Sequence, residues 1–243
     1  MAKNNFYVVW VGRNPGIYNS WIECCQQVDG YSNAKFEGFI AECAAKRAFR
    51  MGFEAHNATK SFKSDNKQPS FTPEQVKNHP AKWKVYPDGG HKRNSDESGA
   101  GLVVECGNVI VEKYSGHFAH NGSNNVAEIQ AAKEALLRVA ALIESGETKI
   151  VIFCDSEYVV NILNRWGLAW RKNGWKKKSS GAIKNLCLVK QLISIHDRVR
   201  GKVEINHVNS HIGIPGNEVA DQMVNNAILN KYVQFERREV PRG

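Results

Sequence analysis

Apolar residues fall in short runs along this chain, and the polar and Gly/Pro positions between the runs mark out elements before any chemistry is considered. Phe6-Tyr7-Val8-Val9-Trp10-Val11 reads as a strand ending in the turn Gly12-Arg13-Asn14-Pro15-Gly16, and Ile17-Tyr18 as a second, short strand. Ser20 with Glu23 three positions on makes a capping box that opens a helix. A further helix is expected from Ile40 to Arg50, stopping at Gly52. Residues 5–52 therefore suit a small α+β domain of β-β-α-β-α type. From 53 to 80 the composition turns to Asn, Ser, Lys, Gln, Thr and Pro without a sustained apolar period, which predicts a flexible linker.

The pattern resumes over 81–232, leaving 233–243 as a C-terminal tail. Lys84-Val85-Tyr86 is a strand leading into a turn-like Pro87-Asp88-Gly89-Gly90, and Gly99–Val104 with Val109–Tyr114 forms a hairpin around Gly107-Asn108. Ile129, Ala132, Leu136, Ala140 and Ile143 recur at helical spacing within 126–143, and Lys149–Cys154 is a β-rich run ending at Asp155. A helix, a basic loop, a helix over Ala182–Val199, a strand at Lys202–His207 and a last helix from Asn217 follow. Strands first and α/β alternation afterwards predict a mixed sheet flanked by helices, an α/β class domain.

Composition narrows the class. With 243 residues, 42% hydrophobic and 23% charged, and no apolar run of membrane-spanning length, the chain reads as globular, with no membrane partner. Its 33 Lys and Arg against 24 Asp and Glu give a net charge of +9, which favours a polyanionic partner, most simply nucleic acid. Six cysteines without C-x-x-C spacing, mostly inside apolar runs, suit reduced core thiols. No signal peptide fits ahead of Phe6. The expected location is cytoplasmic, or nuclear in a eukaryote, and not secreted.

Four acids fall where the expected elements end: Asp88 after a strand, Glu128 in the first turn of a helix, Asp155 at a strand C-terminus and Asp221 near the start of the last helix. Singly each has a structural explanation, as a turn aspartate, an Asn125-x-x-Glu128 capping box, a helix cap or a dipole partner. Jointly they sit where α/β folds assemble sites. Four converging carboxylates call for divalent cations, and oxygen-only ligands select Mg²⁺ or Mn²⁺ over zinc. Two such ions about 4 Å apart clamp the attacking water and leaving oxygen of a phosphodiester in line. His211, in a Gly- and Pro-punctuated loop, is either a surface histidine or a proton shuttle beside those acids. The His207-x-x-x-His211 spacing has no cysteine pair to make a zinc site.

Tyr86-Pro87-Asp88-Gly89-Gly90, Asn124-Asn125-Val126-Ala127-Glu128, Ile152-Phe153-Cys154-Asp155-Ser156-Glu157-Tyr158-Val159 and His211-x-Gly213-x-x-Gly216-Asn217-Glu218-x-Ala220-Asp221 resemble, in order and spacing, the four signatures of type 1 ribonuclease H. The resemblance implies a ribonuclease H-like fold with a mixed five-stranded sheet. It also implies an endonuclease that cuts the RNA strand of RNA/DNA hybrids with two Mg²⁺ ions, Mn²⁺ substituting, and leaves 5′-phosphate and 3′-hydroxyl ends, as in removal of RNA primers and R-loops. Asp88, Glu128, Asp155 and Asp221 become the metal-binding catalytic set, and His211 assists proton transfer or product release.

Between Arg165 and Lys178, three tryptophans interleave with six basic residues and no acid. The stretch resembles the family's basic protrusion, in which cations meet phosphates and rings such as Trp166 and Trp170 pack on sugars. The plainer reading is a solvated helix with buried tryptophans. Similarity also implies that Ser123 and Asn185 grip a DNA-strand phosphate and that Asn124 and Asn125 reach the minor groove. The first domain resembles the hybrid-binding domain found ahead of many type 1 ribonucleases H, with Tyr7, Trp21 and Phe36 on the duplex beside Arg13 and Lys35. Core packing is the alternative for these rings. The whole chain is expected to act as a monomer on RNA/DNA hybrids. Its rivals are a non-catalytic duplex-binding protein, disfavoured by the full acidic set, and a domain released from a polyprotein.

Overall fold

The computed structural model describes residues 4–56, 70–92, 94–177 and 180–239. The chain divides into two compact units, Met1–Lys67 and Gln68–Gly243, which are taken separately.

In the first unit, β1 (Phe6–Val11) is the centre of a three-stranded antiparallel sheet, with β2 (Gly16–Tyr18) on one side and β3 (Lys35–Phe39) on the other. The period of two along β1 divides its residues between two helices. Val9 packs with Cys24 and Val28 of α1 (Trp21–Val28), while Trp10 donates its indole N–H to the Ala48 carbonyl of α2 (Glu42–Met51). Ser20 caps α1 by accepting the Glu23 N–H. The β-β-α-β-α order is the one expected, but the domain does not stop at Gly52. Residues 53–56 are helical, and the rings of Phe53 and His56 lie 5.5 and 5.2 Å from Trp10. Two aromatic anchors hold a stretch whose polarity reads as linker.

The second unit is built on a six-stranded sheet of β4 (Trp83–Lys92), β5 (Glu97–Cys106), β6 (Val109–His120), β7 (Ile150–Cys154), β8 (Val203–His207) and β9 (Glu236–Arg238), in the order β8-β7-β4-β5-β6-β9. β4, β5, β6 and β9 pair antiparallel, and β7 and β8 join parallel to β4. Val85 and Val104 enter the larger core with α4 (Asn124–Glu144) and α7 (Leu186–Val199). Their neighbours Tyr86 and Val103 face the other way, into a second core with Phe153, Ile214 and Ala220. That second face is crossed by α8 (Pro215–Leu229). Between β7 and β8 run α5 (Glu157–Asn161), a π-helical turn at Ile162–Trp166 and α6 (Gly167–Lys172).

Three expectations are corrected. The sheet has six strands rather than five, because the tail is pinned. Phe235 stacks on Tyr114 and His117, and β9 pairs with β6. Residues 70–80 are not tether, since Thr72 opens α3 (Pro73–Lys77) with a reciprocal capping box, Phe71 bridges to Val208 and Val76 is buried. The rest of the expected linker, residues 57–69, lies outside the described residues. Pro87-Asp88-Gly89-Gly90 is no turn: all four residues pair with β5 in unbroken register. Pro87 is tolerated inside a sheet because the ladder from β4 to β7 ends at Val85, so no partner there awaits its missing N–H.

Candidate active site

The four acids come together by strand register and two glycines. β4 and β7 run parallel with Val85 beside Ile152, and the same offset carried three residues further sets Asp88 beside Asp155, just past the end of β7. Gly89 lets β4 touch the start of α4. A Cβ there would stand 2.2 Å from the backbone of Ala127 and Glu128, so no other residue brings Glu128 as close to Asp88. Gly101, opposite Asp88 on β5, does the same for α8, whose Ala220 carbonyl lies 2.4 Å from where its Cβ would be. Asp221 is thereby carried over the strand. It lies two turns into α8, since that helix begins at Pro215 and not at Asn217.

Burial, with Asp155, Asp221 and Glu128 around it, pushes the Asp88 carboxyl up to about 8. Glu128 is also raised by burial, against hydrogen bonds that favour its charged form. Those bonds come from Ser156 Oγ at 2.7 Å and Asn124 Nδ2 at 2.7 Å. Asp155 Oδ2 accepts from Ser210 Oγ at 2.9 Å and Asn217 Nδ2 at 3.2 Å, and the Asp155 carbonyl meets His207 Nε2 at 3.2 Å. Asn225 Nδ2 donates to Asp221. Among the described residues no three or more His, Cys, Asp or Glu side chains are disposed, as they stand, to hold a metal ion. The set is open, oxygen-only and self-repelling. Its donor chemistry suits a hard divalent cation, and Asn217, whose Nδ2 donates to Asp155, keeps a buried Oδ1 without a hydrogen-bond partner among the described residues.

Asn125 is not the cap of α4. Ser123 is, accepting the Val126 N–H, and Ser156 likewise caps α5 while holding Glu128. Sequence reasoning passed over Ser156, Ser210 and the amide of Asn217 as supports. Their signal is only a hydroxyl or amide within a few residues of an acid. His211 is exposed, sits in the left-handed region at φ 54° and makes no side-chain hydrogen bond among the described residues.

Trp166 and Trp170 lie 5.7 Å apart, with Tyr158 6.2 Å from Trp166. The π-helical turn ends at Trp166, and the two indoles, tilted 34° to each other, line a pocket of about 580 Å³ with Lys176, Lys177 and Lys184. Asn185 precedes α7 in the left-handed region, φ 54°, with no capping bond from its side chain. Ser123 and Asn124 are committed to Val126 and Glu128, whereas Asn125 is half-buried in the first turn of α4.

In the first unit the rings of Tyr7, Trp21 and Phe36 form a row, spaced 5.5 and 5.7 Å. Trp21 and Phe36 are 46% and 41% exposed, so they are a surface and not a core. Arg13 donates to the carbonyls of Gln26 and Asp29 and serves the end of α1, and Lys35 lies over the Phe53 ring at 4.8 Å.

Residues 80–229 match the family model described as RNase H, and residues 5–49 match that of the ribonuclease H1 N-terminal domain. The chain belongs to the ribonuclease H family. Among its relatives is a ribonuclease H of Pseudomonas putida (strain W619), 34% identical over 145 residues, covering 59% of this chain and 91% of that protein. Ribonuclease H1 of Mus musculus is 25% identical over 255 residues and spans both units, covering 90% of this chain and 87% of its own. A crystal structure of a type 1 RNase H with the type 2 active-site motif superposes with a TM-score of 0.52 at 27% identity, over 67% of this chain and 79% of that one. No helix among the described residues is long and apolar enough to cross a membrane.

Proposed function

We propose that this chain hydrolyses the RNA strand of RNA/DNA hybrids, with Asp88, Glu128, Asp155 and Asp221 holding two divalent cations, Mg²⁺ or in its place Mn²⁺. The observation that carries the reading is the half-buried Asp88 with three further acids acting on it, on a region matching the RNase H family. Bound there, such ions supply Lewis-acid activation of water and neutralise charge on the scissile phosphate. Asp155 and Glu128 are held in place beforehand by Ser210, Asn217, Ser156 and Asn124. His211, with its ring unengaged at the loop tip, gives or takes a proton at the edge of the site. Attack on phosphorus with departure of the 3′-oxygen leaves 5′-phosphate and 3′-hydroxyl ends, as required to clear primers and R-loops.

The two indoles and the lysines around them supply a backbone contact, since flat rings and cations suit sugars and phosphates. Ser123, Asn124, Asn125 and Asn185 take further backbone and groove contacts, and residues 5–56 form the hybrid-binding domain through Tyr7, Trp21 and Phe36. The chain acts as a monomer in the cytoplasm, or the nucleus of a eukaryote. The test is cleavage of a labelled hybrid beside matched double-stranded RNA and DNA, with Mg²⁺ and then with chelator. RNA-strand cutting of the hybrid alone, abolished by chelator and cut about a thousandfold or more by Asp155→Asn, is expected. Hybrid binding without cutting in Mg²⁺ or Mn²⁺ would overturn it.

A further inference from the structure

Away from the four acids, the second unit holds a pocket of about 700 Å³ that the hydrolytic reading leaves unused. It opens between α3, the turn end of the β5–β6 hairpin and the segment that carries His211 into α8, and Gly213 and Pro215 line it from that segment. Its size is that of a small-molecule site, and its walls are mostly apolar, with Val76, Ile110 and Pro215 among them.

Three buried polar side chains converge on its floor: Lys84, Tyr86 and Glu105, at 2%, 1% and 6% exposure. Lys84 is fully engaged, its ammonium donating to the Val76 and Lys77 carbonyls and to Asn108 Oδ1. Glu105 is not. Its Oε2 accepts from Tyr86 Oη at 2.9 Å, its Oε1 has no hydrogen-bond partner among the described residues, and no cation reaches it as an ion pair. Glu74, at the rim, also lacks an ion pair among the described residues. Removing a carboxylate from water is costly; Lys84 on the same floor and the Tyr86 hydroxyl offset part of that cost, yet burial outweighs them and pushes the Glu105 carboxyl up.

We propose that this pocket binds a small amphipathic cation, its amine or amidine head paired with Glu105 and its apolar body lying between Val76, Ile110 and Pro215. The occupant rests on Gly213 and Pro215, within a few residues of His211, so the site is placed to act on that segment. The inference is independent of the hydrolytic reading and is tested without nucleic acid.

The probe is benzamidine, titrated into the full chain and followed by backbone amide NMR. Saturable, millimolar binding is expected, with shifts centred on Tyr86, Ile110 and Gly213. Glu105→Gln keeps an acceptor for Tyr86 and should weaken binding at least tenfold, while Ile110→Trp fills the pocket and should abolish it. Benzoate, the same body with an anionic head, should not bind there. Absence of shifts at millimolar benzamidine, equal binding of benzoate, or unchanged binding to both variants would overturn the proposal.

Discussion

Gly89 carries no side chain because the backbone of Ala127 and Glu128 occupies the space a methyl group would need. Gly89→Ala must push α4 off β4, at a cost of about 3 kcal/mol or more, and should remove most hybrid cleavage while the chain remains folded by circular dichroism. Near-normal cleavage by this variant would mean that the distance between Asp88 and Glu128 is not critical. Asp88 gives a second prediction. With its carboxyl held up to about 8, it is protonated below that pH and must lose the proton to take a cation. Mg²⁺ affinity should therefore rise with pH and level off above about 8, with proton release on binding below that point. Calorimetry in buffers of different ionisation enthalpy reads this directly, and Asp88→Asn should reduce the release, leaving any share that Glu128 contributes. That the four acids fall at element ends was legible in the sequence, and the fold brings Glu128, Asp155 and Asp221 around Asp88. The hydroxyls that orient them were not legible, since Ser156 reaches Glu128 across 28 residues of sequence and Ser210 reaches Asp155 across 55.

Elements were read well where a periodic run lay between ordinary stops, as for β1, α4 and the β5–β6 hairpin. The errors have two physical causes. Asp88-Gly89-Gly90 reads as a turn because glycine usually supplies positive φ, whereas here Gly89 supplies clearance for a helix. Residues 70–80 and 233–239 read as tether and tail because their anchors are few and long-range: Phe71, Val76 and Phe235. Lys84 decides the first of these. Its three hydrogen bonds tie α3 to β4 and the hairpin turn, and a buried lysine so placed cannot be read from a polar letter in a strand. Lys84→Met leaves two carbonyls and an amide without their donor and should cost about 3 kcal/mol. The amides of Val76 to Asn78 should then exchange far faster than those of α4 in hydrogen-exchange measurements. Unchanged protection of α3 would show that Val76 alone holds it.

On the proposed reading the first unit binds the hybrid and the second cuts it. A net charge of +9 makes hybrid affinity fall steeply with salt, since each phosphate contact by Lys or Arg releases counterions. On that reading the Trp21–Phe36 pair adds a part that salt does not screen, because ring packing on sugars and bases is not ionic. Tethering converts affinity in one unit into local concentration of substrate for the other. Replacing both Trp21 and Phe36 by Ala should raise KM for a long hybrid by about tenfold or more, taking about 1–3 kcal/mol per stacked ring as the upper range, and leave kcat unchanged. Because both rings are 41% or more exposed, the fold of the first unit should survive the change. The slope of affinity against salt should stay the same while the whole curve moves down. A fall in kcat at unchanged KM, or a shallower salt slope, would place the rings in some role other than gripping the hybrid.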